Sequence, residues 1–376
     1  MREMLKFCLI LLVFIAVVCI FIFCRQKRKP VSIRIAMYWG IPELKKLEQI
    51  ISDAWKAAGN KEKLEFSLWD CYAHMPDESD IYCYDSLAFN ALIESGLFGS
   101  MDGFNTDYAF SWATAMPVCT EKLYAAPFFI CADFLIVKNE CKNAYEGKTL
   151  MEIYESMAIP VKGMMASYYT KEAWTRGITK MPDCESWEHE TDKEIMDIMY
   201  HITELSKERN FDLTGLDTFN GRKSFLAGEA KALYFSSETL YYLKANSEDV
   251  SIMLPQSGEN SDAKFYIDYF SIGRHLSGKK KRKCLELIKM MTGEDVLFAH
   301  SDNGGRPTYD IPANRNVLRR LAEKYPLYES LLNAVDNERN RPVFYDSSFY
   351  TERFALWERI NNWAKECMRR QDETAV

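Results

Sequence analysis

LYAAPFFICADFLIVKN, residues 123–139, decides the architecture of this chain. It is rich in β-branched and aromatic residues, too long for one straight strand, and carries Pro127. The reading is two strands that meet at a bend near Phe129 to Cys131, taking the chain from one half of the molecule toward the other. Upstream, VSIRIAMYW (31–39) alternates as a strand does, and ELKKLEQIISDAWKAA (43–58) spaces Leu44, Leu47, Ile50, Ile51 and Trp55 as a helix does. LEFSLWD (64–70) and DIYCYDS (80–86) are two more strands, the second followed by the apolar helix AFNALIESG. This order implies a largely parallel α/β sheet.

Downstream, residues 149–250 read as mostly helical, with strands near 161–166 and 231–237. In SFLAGEAKALYFSSETL (224–240) a helix ends near Gly228, a short strand follows, and Ser236 or Ser237 is placed to cap the next helix. Strands near 250–255 and 264–273 come next, then amphipathic helices at 324–335 and 354–368. A crossing in mid-chain and a return near residue 268 predict two lobes with a central cleft, the type II solute-binding architecture. The boundaries are about 31–135 plus 270–330 for the first lobe, 136–269 for the second, and C-terminal helices over 331–376.

Of 376 residues, 48% are hydrophobic and 27% charged, the composition of a folded chain and not of a disordered one. A net charge of −7 repels phosphodiester backbones and excludes nucleic acid as a partner, while favouring a cationic ligand. Phe7 to Cys24 is an eighteen-residue run without charge, flanked by Arg2 and Lys6 before it and by Arg25, Lys27, Arg28 and Lys29 after it. With no small-residue cleavage site, residues 1–30 are expected to be an uncleaved single-pass anchor, the alternative being a poorly typed signal peptide whose removal leaves the protein secreted. The basic cluster after the run argues for a cytoplasmic C-terminal side, and the basic N-terminus for the opposite. The eleven cysteines include no Cys-x-x-Cys pair, and the five histidines have no ligand spacing, so no metal and no cofactor is expected.

In an open α/β sheet, ligands sit at the carboxyl ends of strands. This singles out Tyr38 and Trp39, Asp70 to Tyr72, Asp85, Cys131, Glu238 and Asp268. Cys131 is the candidate nucleophile, and it needs a base or a positive field to become a thiolate. Its plain structural reading is a buried inert thiol. Glu238, where strand meets helix, is either a helix N-terminal partner or a general base. Asp85 and Asp268 end or interrupt apolar strands, so each either caps a loop or binds a ligand. Tyr38, Trp39, Tyr72 and Tyr266 neighbour these carboxylates, an arrangement suited to a flat, cationic heterocycle.

Taken together, IAMYWGIPE (35–43), FSLWDCYAHMPDESDIYCYDS (66–86), APFFICADFLIVKN (126–139), SFLAGEAKALYFSSET (224–239), KFYIDYFSIG (264–273) and PLYESLLNAV (326–335) resemble thiaminase I, or thiamine pyridinylase. The resemblance implies a periplasmic-binding-protein-like fold and a transferase that replaces the thiazole of thiamine with a small nucleophilic co-substrate. It places Cys131 on the nucleophile and Glu238 on its base. Asp85 and Asp268 fall on carboxylates that grip the aminopyrimidine, Tyr38, Tyr72 and Tyr266 on cleft tyrosines, and Asp107 on a further cleft aspartate. Gly40, Phe219 and Ser236 stand where the family has additional tyrosines. The resemblance also implies a catalytic domain outside the cytoplasm, and the chain is taken as a monomer. The competing reading is a tethered, non-catalytic receptor for thiamine or another small molecule.

Overall fold

In the computed structural model the alternating run over 31–39 becomes β1, Ser32–Tyr38, with Ile33, Ile35 and Met37 fully buried. The helix Leu44–Ala57 lays Leu47, Ile51 and Trp55 on the core, one face at helical spacing. Each such side chain contributes about 2 kcal/mol on burial. The structure describes residues 32–71, 75–115, 122–148, 161–163, 218–245, 247–254 and 264–356, with isolated positions 152 and 362. The anchor expected over 1–30, Tyr72, and residues 149–151, 153–160 and 164–217 of the region expected to be mostly helical over 149–250 lie outside the described residues. Among the described residues no helix is long and apolar enough to cross a membrane.

β1 pairs in parallel with β2 (Lys63–Trp69) on one side and β3 (Ile81–Asp85) on the other. Beyond β3, most of the pairings are antiparallel. β9 (Lys264–Gly273) runs antiparallel to β3, and β5 (Ala126–Lys138) antiparallel to β9. β7 (Ala232–Ser236) runs antiparallel to β5, and β6 (Val161–Gly163) parallel to β7. The sheet order is β2-β1-β3-β9-β5-β7-β6, so the sheet is mixed and not largely parallel. The cause is the return strand β9, which enters from the far half of the chain and docks head to tail on β3.

The bend expected in the deciding stretch takes a different form. β5 is one continuous strand of 13 residues, and the irregularity sits earlier, a register shift between Pro127 and Phe129. Pro127 has no N–H to give to the ladder, which is why the register slips beside it. The strand then changes partners. Ala126 to Ala132 pair with β9, and Asp133 to Val137 pair with β7. β10 (Ile311–Pro312) adds antiparallel to the first half of β5, and β8 (Val250–Met253) to the second. Cys131 therefore sits where one continuous strand passes between two sets of partners. The core on both sides is aromatic, with Tyr84, Phe89, Phe128, Phe134, Tyr269 and Phe270 fully buried.

The helix expected over 324–335 forms as Pro326–Val335, with Pro326 in its first turn. The expected serine cap is not made. The helix after β7 starts at Thr239 with Glu238 at its N-cap, without a side-chain cap bond. Ser237 Oγ instead donates to the carbonyl of Tyr309 at 2.7 Å. A long-range acceptor has displaced the local one, and the bond ties the start of this helix to the segment before β10.

Candidate active site

Register brings the candidate residues together. Asp85 on β3 lies directly opposite Asp268 on β9, and Tyr266 on β9 lies opposite Cys131 on β5. Asp133, two residues further along β5, lies opposite Ser236 on β7. Side chains two apart on a strand share a face, and so do direct cross-strand partners. A row of acidic groups and one thiol thus crosses three adjacent strands, β3, β9 and β5. Glu238 joins it from the turn after β7.

The contacts are specific. Cys131 Sγ donates to Asp268 Oδ2 at 3.7 Å. Asp85 Oδ1 accepts from the N–H of Leu87 at 2.7 Å and from Ser86 Oγ at 3.3 Å, capping the turn Ser86–Ala88. Asp85 is therefore a loop cap in its local bonding and also part of the row. Asp268 is only 3% exposed, and its Oδ1 is buried with no hydrogen-bond partner among the described residues. A buried acceptor left this way is destabilising in the free protein and is satisfied when a donor arrives. Tyr266 is buried, with its hydroxyl 3.3 Å from that of Tyr345. Tyr38 ends β1, half-buried, with the exposed Trp39 ring 5.9 Å away.

The electrostatics follow from crowding of like charges. Burial raises the Cys131 thiol well above its usual range, and the negative charges of Asp268, Glu238, Asp85 and Asp310 raise it further. Burial likewise raises Asp268, helped by Asp85, Glu238 and Asp310 and opposed by the Cys131 bond. Glu238 is pushed up to about 7, first by burial, then by Asp310 and Asp133, against the lowering effect of its own N–H and of Ser236. Near neutral pH the thiol is protonated and the glutamate is poised to exchange a proton. Cys131 and Glu238 each remain partly open to solvent, so a small molecule can reach them. Among the described residues no cluster of His, Cys, Asp and Glu is placed to hold a metal ion.

Not every expected residue joins the row. Asp107 is exposed in a turn, its N–H donating to Asn105 Oδ1 at 2.6 Å and its carbonyl accepting from Arg315 at 2.9 Å. No contact among the described residues joins it to the other candidates. Tyr72 and the side chain of Phe219 lie outside the description. Gly40 has a clear steric role, because a Cβ there would stand 2.3 Å from the Tyr38 hydroxyl. The glycine lets the Tyr38 ring fold over the chain, so a tyrosine at position 40 and this placement of Tyr38 exclude each other.

Two groups were missed. Asp310 is 6% exposed and bonds through Oδ2 to His300 Nε2 at 2.8 Å. It immediately precedes the apolar pair Ile311–Pro312, the strand-end pattern that singled out Asp85, but a two-residue strand has no periodicity to read. Tyr345 and Phe349 stack at 4.1 Å beside Tyr266, from a segment with no strand or helix signal of its own at Tyr345.

The mixed sheet and its strand order give the chain an α/β fold of the periplasmic-binding-protein-like kind. It has the same fold as Clostridium botulinum thiaminase I, solved in complex with thiamin, with a TM-score of 0.74 and 19% identity over 89% of this chain and 100% of that one. The maltose-bound T. maritima MalE3 also superposes, with a TM-score of 0.64 and 16% identity over 90% of this chain and 99% of that one. In sequence the chain is similar to Thiaminase-1 of Paenibacillus thiaminolyticus, 23% identical over 364 residues, covering 89% of this chain and 86% of that protein. No protein-family model matches the chain.

Proposed function

We propose that the protein is a thiaminase I-like transferase that cleaves thiamine through a covalent bond to Cys131. The observation that carries this reading is a partly open thiol set between carboxylates, with Glu238 near 7 in reach of the same space. Thiamine fits the site in charge and in hydrogen bonding. Its thiazolium cation is favoured by the acidic row, and its aminopyrimidine carries N–H donors for Asp268 Oδ1 and Asp85.

The steps balance as follows. Glu238 accepts the thiol proton and Cys131 Sγ bonds to a ring carbon of the pyrimidine. The electron pair passed into the ring breaks the bond from the methylene to the thiazolium nitrogen, and thiazole leaves neutral. An amine nitrogen, or another small nucleophile, then bonds to the methylene. The carbon–sulfur bond breaks with its pair returning to sulfur, Glu238 returns the proton to it, and the ammonium product loses its own proton to water. Carboxylates on the ring nitrogens and amino group hold the ring as charge shifts through it. No metal or organic cofactor takes part in this scheme.

The two halves of the sheet are read as lobes, with the acidic row lining the cleft between them. Residues 1–30 are proposed as a single-pass anchor that holds a monomeric catalytic domain outside the cytoplasm. The alternative is a tethered receptor, and the likeness to a maltose-bound protein favours it. The full chain in detergent, incubated with thiamine and an aromatic amine beside Cys131→Ser, separates the two. Loss of thiamine and release of thiazole in the parent, with at least a thousand-fold less in the variant, is expected. Saturable binding without product would overturn the transferase reading.

A further inference from the structure

We propose that Asp310, held by His300, is a positioning residue of this site, standing beside Glu238 and Cys131 to tune the proton exchange between them. The inference rests on the transferase reading for its chemical meaning, but its geometry stands alone. β10 seats Ile311 against Ile130 and Pro312 against Phe129, which brings the preceding Asp310 to the level of Cys131. Ser237 Oγ bonds to the carbonyl of Tyr309 at 2.7 Å, tying the residue before Asp310 to the residue before Glu238. The two acidic residues are thus fastened side by side from different parts of the chain.

Asp310 is also fixed from behind. Its Oδ2 meets His300 Nε2 at 2.8 Å, and its carbonyl accepts from the Tyr328 hydroxyl at 2.9 Å. His300 is 1% exposed, with its ring against Phe129 at 5.6 Å and Nδ1 without a partner among the described residues. The tautomer with its proton on Nε2 donates to Asp310 and leaves only a bare lone pair buried at Nδ1, which costs less than an unpaired N–H. Tyr309 holds a left-handed backbone, φ 60°, unusual for a bulky aromatic residue. Such strain at one residue before a buried carboxylate fits a segment whose placement matters more than its local ease.

Among the described residues, titratable groups face Glu238 from several elements. Cys131 and Asp133 face it from β5, Asp268 from β9, and Asp310 from the segment before β10. Tyr242, on its own helix, lies in the same field, with the Arg222 guanidinium 4.5 Å over its ring. After burial, Asp310 is the foremost influence that raises Glu238, and it also raises Cys131 and Asp268. Loss of its charge should therefore lower both ends of the proton exchange together.

The test follows Cys131 itself, with and without turnover. The full chain in detergent is alkylated with iodoacetamide from pH 5 to 9, the modified Cys131 peptide is quantified, and thiamine loss is followed over the same range. Asp310→Asn is expected to move the acidic limb of both profiles down by about half a pH unit or more, and to raise alkylation at pH 7 about three-fold. Asp310→Glu, which keeps the charge, should hold both limbs near the parent. Asp310→Ser serves if the asparagine chain does not fold. Limbs that coincide in parent and charge-removed variant overturn the proposal. A moved alkylation limb in a protein that never consumes thiamine supports the placement of Asp310 and overturns the transferase reading instead.

Discussion

The two ends of strand β3 carry the same residue type in opposite circumstances. Asp80, just before the strand, is fully buried yet held by three donors: the Arg34 N–H at 2.8 Å, Lys280 at 2.8 Å and His275 at 3.1 Å. Burial works to raise it, but those bonds win, and it sits below the ordinary carboxylate range. Asp85, at the other end, faces Asp268 across the ladder, and Asp268 is raised well above that range. One end of the strand is a finished structural tie. The other is a set of like charges with an unmet acceptor. Folding alone would favour the first arrangement everywhere, so the second fits the proposed reading, in which a ligand completes the structure.

Exchange of one atom in Glu238 gives the largest expected effect. Glu238→Gln should cut thiamine turnover by about a hundred- to ten-thousand-fold without loss of urea stability at pH 7, since it removes a carboxyl that burial raises. Turnover within ten-fold of the parent would place the base elsewhere and reduce the acidic end of β3 to a binding surface. The next effect belongs to the other end. Asp80→Asn leaves Lys280 and His275 facing a neutral amide, and urea unfolding at pH 7 should show a loss of about 2 kcal/mol with turnover retained. Because the folded value of Asp80 is depressed, its stabilisation is present above the unfolded value, about 3.9, and is lost as pH falls through the folded one. The gap between parent and variant should therefore close in acid.

The smallest effect has the opposite sign. Asp268→Asn removes a raised carboxyl from among its fellows and should stabilise the free protein by about 1 kcal/mol at pH 7, seen as a higher melting temperature. The folded value of Asp268 is raised, so its penalty is present at neutral pH and relieved as pH falls through that value. The stabilisation of the variant should shrink in the same direction. Calorimetric titration should show weaker thiamine binding by this variant. A variant that is both less stable and unchanged in binding would erase the contrast between the two ends of β3.

Much of this was legible from residue order. The alternation of β1, the apolar face of Leu47, Ile51 and Trp55, and the carboxylates that end or interrupt apolar strands, Asp85 at the end of β3 and Asp268 within β9, follow from local periodicity, which needs no partner to be read. The antiparallel entry of β9 was not legible, because strand direction depends on where a distant segment docks. Ser237 misled for a related reason. Its hydroxyl has a local acceptor in the helix-start pattern, but Tyr309, 72 residues away, offers one that only the fold brings near.

By itself, then, the sequence determined the α/β class, the β-rich character of residues 123–139, and the identity of the candidate thiol and carboxylates. Those are set by side-chain chemistry and by spacing along one chain. The tertiary structure alone decided that Cys131 meets Asp268, that His300 holds Asp310 within the electrostatic reach of Glu238, and that one end of β3 is satisfied while the other is not. Proton affinity and hydrogen-bond satisfaction depend on the atoms within a few ångströms. Here those atoms come from segments more than a hundred residues apart, such as Cys131 and Asp268, 137 positions distant along the chain.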